Sequence, residues 1–234
     1  MSAEIIAEIG QNHNGDMQMA RDLIRAARDC GADVAKFQVY DAQALFPKEN
    51  NPWYDYNCKT ELSRAQVEEL ANECAKVNIE FMASVFDLER VDWLEAVGVK
   101  RYKVASRSVR EAALIQCLVA TGKPLIVSLG MWGEKDFPVI KSAAPVDFLY
   151  CISKYPTPLN ELRLSQVDFN KHAGFSDHSI GIGGSLAAIA LGARIIEKHF
   201  TLDKTLYGPD HSGSMTPDEL KAMAAYAAEI TEAL

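Results

Sequence analysis

Short apolar runs rich in Val, Ile and Phe alternate along this chain with longer stretches whose apolar residues recur every three or four positions. The first pattern predicts strands and the second predicts helices. Strands are expected at Ile5–Ile9, Asp33–Val39, Glu80–Val85, Arg101–Ser106, Pro124–Leu129, Val146–Ser153, Ala173–Asp177 and Ile195–Thr201. Helices are expected at Asp16–Cys30, Ser63–Val77, Asp87–Val97, Arg110–Thr121, Gly183–Leu191 and Thr216–Ala233, with a shorter one at Leu159–Asn170. Gly31 stops the first of these, and Ser63 with Gln66 three residues on forms a capping box for the second. Asp41–Thr60, with Pro47 and Pro52, reads as a long loop, and Gly133–Pro145 is too short and proline-broken for a full helix. Strands that alternate with helices imply a parallel sheet. Eight such units in 234 residues match a (β/α)8 TIM barrel, a single α/β domain over residues 1–234 with a shortened fifth helix. A doubly wound open sheet is the alternative, but it rarely needs eight strands in this length. The thin flank beside the short fifth helix should be covered by a second subunit, so a homo-oligomer is expected.

Polar residues interrupt the strand pattern in one phase. In IIEKHFTL, Ile195 to Leu202, alternation puts Glu197 and His199 on the same face. Burying a carboxylate and an imidazole there costs several kcal/mol unless they are paired or bind a metal. Every strand ends in this way: Glu8; Lys36 and Gln38; Ser84; Lys103; Ser128; Ser153; Ser176 and His178; Glu197 and His199. In a barrel, these C-terminal strand ends form the catalytic face. Lys36 and Lys103 suit a phosphate and a carboxylate, and the hydroxyls of Ser84, Ser106, Ser128, Ser153 and Ser176 suit the same oxygens. His178 and His199 are candidate metal ligands. Two imidazoles alone point to Mn²⁺ or Mg²⁺ completed by water and substrate oxygens, not to a closed zinc site. Glu8 and Glu197 are candidate proton-transfer groups.

A net charge of −8 disfavours nucleic acid and anionic membranes as partners, so any anionic ligand must be held by local cations. No apolar run approaches the ~18 residues of a membrane span. MSAEIIAEIG lacks the features of a secretory leader. Five cysteines without paired spacing read as reduced thiols, and a cytoplasmic location is expected.

The runs AEIGQNHNGD, ADVAKFQ, YKVAS, GKPLIVSLGM, YCISKYPTP, FSDHSIG and EKHFTLDKTLYGPDH together resemble the sialic acid synthase family, the N-acetylneuraminate synthase-like enzymes, from about Ile5 to Leu220. The resemblance implies condensation of phosphoenolpyruvate with an N-acylated amino sugar. It implies Mn²⁺ on His178 and His199, and enolpyruvate contacts from Lys36, Ser84, Lys103, Ser106, Ser128, Ser153 and Ser176. Sugar contacts would come from Gln38, Tyr155 and Asp210, with Glu8 in proton transfer. The metal would polarise the sugar aldehyde, carbon 3 of the enolpyruvate would attack it, water would add at carbon 2, and phosphate would leave. Two departures are visible. Family members usually continue into a C-terminal antifreeze-like domain that helps recognise the acyl sugar, whereas this chain stops after the eighth helix; a separate protein standing in for that domain is one expectation. Where the family often has Ser-Gly-Asp or Ser-Gly-Glu after the fourth strand, this chain has Ser106-Arg107-Ser108, with Arg110 close behind. Arg107 would favour a second reading, a keto-deoxy-sugar-phosphate synthase acting on a phosphorylated aldose. A third reading is a partner-dependent or non-catalytic barrel, but it gives no reason to keep Glu8, Lys36, Lys103, His178 and His199.

Overall fold

In the computed structural model, which describes residues 2–234, eight parallel strands close into a barrel in sequence order. They are β1 (Glu4–Gly10), β2 (Val34–Val39), β3 (Glu80–Val85), β4 (Tyr102–Val104), β5 (Leu125–Ser128), β6 (Val146–Cys151), β7 (Gly174–Asp177) and β8 (Ile195–His199). The expected (β/α)8 barrel is the observed fold. Helices α1 (Met17–Asp29), α2 (Ala42–Leu45), α3 (Tyr54–Lys59), α4 (Arg64–Val77), α5 (Leu88–Ala96), α6 (Ala112–Ala120), α7 (Gly183–Ala190) and α8 (Pro217–Ala233) lie among the crossovers. The capping box of Ser63 and Gln66 is present at α4, and Thr216 with Glu219 forms a second at α8. Each satisfies amide donors that the first helical turn leaves open.

Side-chain parity divides the barrel interior in two. Ile6, Val34, Met82, Ile126, Leu149 and Ile195 form an apolar plug at the N-terminal side. Two residues further along the same strands, the inward positions become Glu8, Lys36, Ser84, Ser128, Cys151 and Glu197. Pairing carries this level around the wall, with Glu8 opposite Lys36, Ser84 opposite Lys103 and Ser176 opposite Glu197. The outward positions are apolar and pack against the helices in the main core. Gly174 lets β7 meet β8 closely, since a Cβ there would lie 1.9 Å from the Ile195 carbonyl oxygen.

Three segments differ from the pattern expected of the sequence. Asp41–Thr60 is not a plain loop but holds α2, capped by the Asp41 side chain, and α3. The expected helix at Leu159–Asn170 is two 3-10 turns, Leu159–Glu161 and Leu164–Gln166. Arg163 between them sits at φ 48°, and one left-handed residue is enough to interrupt helical hydrogen bonding. The fourth strand is shorter than Arg101–Ser106, because Ser106–Ser108 turns into a 3-10 helix. The shortened fifth helix expected over Gly133–Pro145 is absent: among the described residues no helix lies between β5 and β6, since Gly133, Pro138 and Pro145 break the stretch.

Candidate active site

The polar level opens into a cavity of about 950 Å³ at the C-terminal mouth of the barrel. All fourteen residues singled out in the sequence line it: Glu8, Lys36, Gln38, Ser84, Lys103, Ser106, Ser128, Ser153, Tyr155, Ser176, His178, Glu197, His199 and Asp210. The volume lies at the upper end of small-molecule sites and suits two small ligands together.

The floor is a compact ionic cluster. Lys36 Nζ lies 2.7 Å from Glu8 Oε2 and 3.4 Å from Glu197 Oε2, and donates to Ser84 Oγ at 3.1 Å. Lys103 Nζ lies 3.7 Å from Glu197 Oε1 and donates to the Val104 carbonyl at 3.0 Å. Ser176 Oγ donates to Glu197 Oε1 at 2.8 Å, and Gln38 Nε2 donates to Glu8 Oε1 at 2.9 Å. All four ionic groups are buried. Burial works to raise the Glu197 pKa, but Lys103 and then Lys36 outweigh it and hold the carboxyl at about 2. Burial works to lower the Lys36 pKa, yet Glu197 and Glu8 hold it above the ordinary lysine value. For Lys103, burial prevails with help from Lys36, and its pKa falls despite Glu197.

The serines divide by what they already do. Ser84 and Ser176 belong to the ionic cluster. Ser106 Oγ accepts the Gly130 amide at 3.1 Å, so its oxygen is partly engaged in holding the β5 loop. Ser128 and Ser153 have buried hydroxyls without a hydrogen-bond partner among the described residues. A buried hydroxyl left unpaired costs about 1–3 kcal/mol, which a ligand oxygen would recover.

The two histidines stand side by side on the rim, ring centroids 5.8 Å apart. His178 Nδ1 lies 2.8 Å from the Ile152 carbonyl, an acceptor only, so Nδ1 carries a proton and Nε2 is the atom with a lone pair when the ring is neutral. His199 Nδ1 is buried without a hydrogen-bond partner, with Asp210 Oδ2 4.0 Å away. Among the described residues no three His, Cys, Asp or Glu side chains converge on one point. Two imidazoles, one with an unpartnered buried Nδ1, are the donors that a divalent ion would find here, and its other positions would fall to water or substrate. Tyr155 packs against His178, ring centroids 4.1 Å apart and planes tilted by 40°.

Some lining residues were not singled out in the sequence. Cys151 points inward between Leu149 and Ser153, 3.8 Å from His178 Nδ1 and 3.5 Å from Ser106 Oγ. Strand parity could have found it, but cysteine is a common core residue. Leu45, Phe46, Asn51, Trp53 and Asn57 overhang the mouth from Asp41–Thr60, where no periodic signal exists. Lys198 takes the opposite phase and points into the helix layer, 3.1 Å from Asp177 Oδ2.

The NeuB family model matches residues 23–234. The N,N'-diacetyllegionaminic acid synthase of Campylobacter jejuni is 38% identical over 98% of this chain and 77% of its own length. The human N-acetylneuraminate-9-phosphate synthase is 35% identical over 92% of this chain and 67% of its own. The crystal structure of the N-acetylneuraminic acid (sialic acid) synthetase from Leptospira borgpetersenii, in complex with citrate, superimposes with a TM-score of 0.90 at 31% identity, covering 100% of this chain and 85% of that one.

Proposed function

Because this chain belongs to the NeuB family of sialic-acid-type synthases, we propose that it condenses phosphoenolpyruvate with an N-acylated amino sugar, giving a nonulosonate and inorganic phosphate. The observation that carries this reading is the floor of the cavity. Two buried ammonium groups and the unpartnered hydroxyls of Ser128 and Ser153 line the same cavity, in a chain of net charge −8. Such a cradle fits a compact, multiply charged anion such as a phosphorylated carboxylate.

Lys36 and Lys103 hold the enolpyruvate phosphate and carboxylate, with Ser84, Ser128, Ser153 and Ser176 hydroxyls on the remaining oxygens. A carboxyl held at about 2 is a weak base, so Glu197 serves to fix both ammonium groups in place. The proton-transfer part falls to Glu8, whose two oxygens face Gln38 and Lys36. The carbon–carbon bond forms between carbon 3 of the enolpyruvate and the sugar aldehyde carbon. The aldehyde oxygen takes a proton, water adds at carbon 2 and gives up one, and phosphate leaves with its bridging oxygen and the remaining proton of the carbon-2 hydroxyl, whose oxygen becomes the ketone carbonyl. His178 and His199 would hold a divalent ion, which supplies Lewis-acid polarisation of the aldehyde. Gln38, Tyr155 and Asp210, above the floor, would contact the sugar.

The test is phosphate release from phosphoenolpyruvate with Mn²⁺ over a panel of aldoses including N-acetylmannosamine, diacetamido hexoses and arabinose 5-phosphate. Release with an amino sugar supports the proposal. Release with arabinose 5-phosphate alone would move the chain to the keto-deoxy-sugar-phosphate class. No release, with phosphoenolpyruvate bound, would point to a partner-dependent barrel.

A further inference from the structure

Two basic side chains line the cavity outside the ionic floor, Lys198, which is paired with Asp177, and Arg107. Arg107, in the 3-10 turn after β4, lines the cavity beside Leu45 and Phe46. One guanidinium nitrogen donates to the Leu45 carbonyl at 3.0 Å, and the plane lies over the Phe46 ring, 5.3 Å from its centroid. These contacts orient the group without neutralising it. Its neighbours in sequence differ: Arg101 Nε lies 2.8 Å from Glu80, and Arg110 lies 2.8 Å from Glu134. Among the described residues no carboxylate forms an ion pair with Arg107, and only Glu111 acts on it at longer range. In a chain with 32 acidic and 24 basic residues, this is an unusual cation to leave open at a cavity wall.

We propose that Arg107 binds an anionic group on the acceptor, so that the second substrate is a sugar carrying a phosphomonoester on the carbon remote from its aldehyde. The proposal rests on the function proposed above. Lys36 and Lys103 are sequestered at the floor by Glu8 and Glu197, and a phosphorylated carboxylate there would use both. An acceptor placed above that anion reaches the wall formed by the turn after β4. Arg107 presents several fixed N–H donors there, of which Leu45 takes one.

The experiment compares N-acetylmannosamine with its 6-phosphate as acceptors, in the wild type, Arg107→Gln and Arg107→Lys. Arg107→Gln keeps a donor for the Leu45 carbonyl and removes the charge. In the wild type, kcat/KM should favour the phosphorylated sugar. Arg107→Gln should lower that preference about 10- to 100-fold, the size expected for one charge-assisted bond, and Arg107→Lys should restore part of it. A wild-type preference for the neutral sugar, or a preference that Arg107→Gln leaves unchanged, would overturn the proposal. If neither sugar is turned over, the proposed function fails, and calorimetric titration of both sugars still decides the site. Tighter binding of the 6-phosphate, lost in Arg107→Gln, supports the anion site; equal binding of the two sugars removes it.

Discussion

At the scale of single residues, burial sets the chemistry. Lys103 lies among Glu197, Lys36 and the Val104 carbonyl, and burial with the Lys36 charge depresses its pKa. Its positive charge is therefore lost at a lower pH than that of an ordinary lysine. If Lys103 grips the enolpyruvate anion, kcat/KM for phosphoenolpyruvate should fall on the alkaline side below pH 10.5, and Lys103→Arg should move that limb upward. A limb that does not move would take Lys103 out of the anion site. Lys103→Ala should raise KM for phosphoenolpyruvate by about 10-fold or more. His13 shows the same physics without catalysis. Its Nδ1 accepts the Gly15 amide at 3.2 Å, its Nε2 is unpartnered, and burial lowers its pKa from 6.5 to about 4. Between those values the unfolded chain binds a proton that the folded chain does not. Stability is therefore full above pH 6.5 and is lost as pH falls toward 4, by about 3 kcal/mol in total. Urea unfolding across that range should show a shallower pH slope for His13→Asn; an equal slope would assign the acid sensitivity to other groups.

At the scale of elements, local rules succeeded wherever a cap or a period was strong. The Ser63–Gln66 capping box marked the start of α4, and β3 runs over the same residues that its apolar pattern indicated. The rules failed where a single residue's backbone or a distant contact decides. Arg163 at φ 48° splits Leu159–Asn170, and nothing in its side chain announces that conformation. The segment Asp41–Thr60 takes its shape from anchors elsewhere: Glu61 accepts the Ala42 amide, and Tyr40 OH lies 2.9 Å from Thr60 Oγ1. The second capping box has a measurable weight. Thr216→Ala removes the oxygen that accepts the Glu219 amide and should lower unfolding free energy by about 1 kcal/mol. An unchanged chemical midpoint would mean that α8 is held by packing alone.

At the scale of the whole molecule, the missing fifth helix leaves a groove of about 610 Å³ along α6, lined by Ile115, Val119, Trp132, Val139 and Ile140. Val139 at its edge is 86% exposed. A mostly apolar hollow of that kind is costly in water. The chain is therefore expected to sediment as an oligomer of its 25.8 kDa unit, and Val139→Glu to shift it toward the monomer. A wild-type monomer at tens of micromolar would dismiss this expectation. No helix among the described residues is long and apolar enough to cross a membrane.

The sequence by itself determined the barrel and the inward level of its wall. Strand parity is a property of the backbone, so a polar residue two places past an apolar one must face the same interior; Glu8, Lys36, Ser84 and Glu197 follow from that alone. Tertiary structure decided what those residues do to one another. Glu197 becomes a fixed anion because two lysines from β2 and β4 converge on it. Ser106 is drawn off to hold Gly130, while Ser128 and Ser153 are left open. Arg107 is aimed by Leu45 and Phe46, more than fifty residues earlier in the chain. Such pairings depend on distances between strands and loops that closure of the barrel sets, and local pattern carries no record of them.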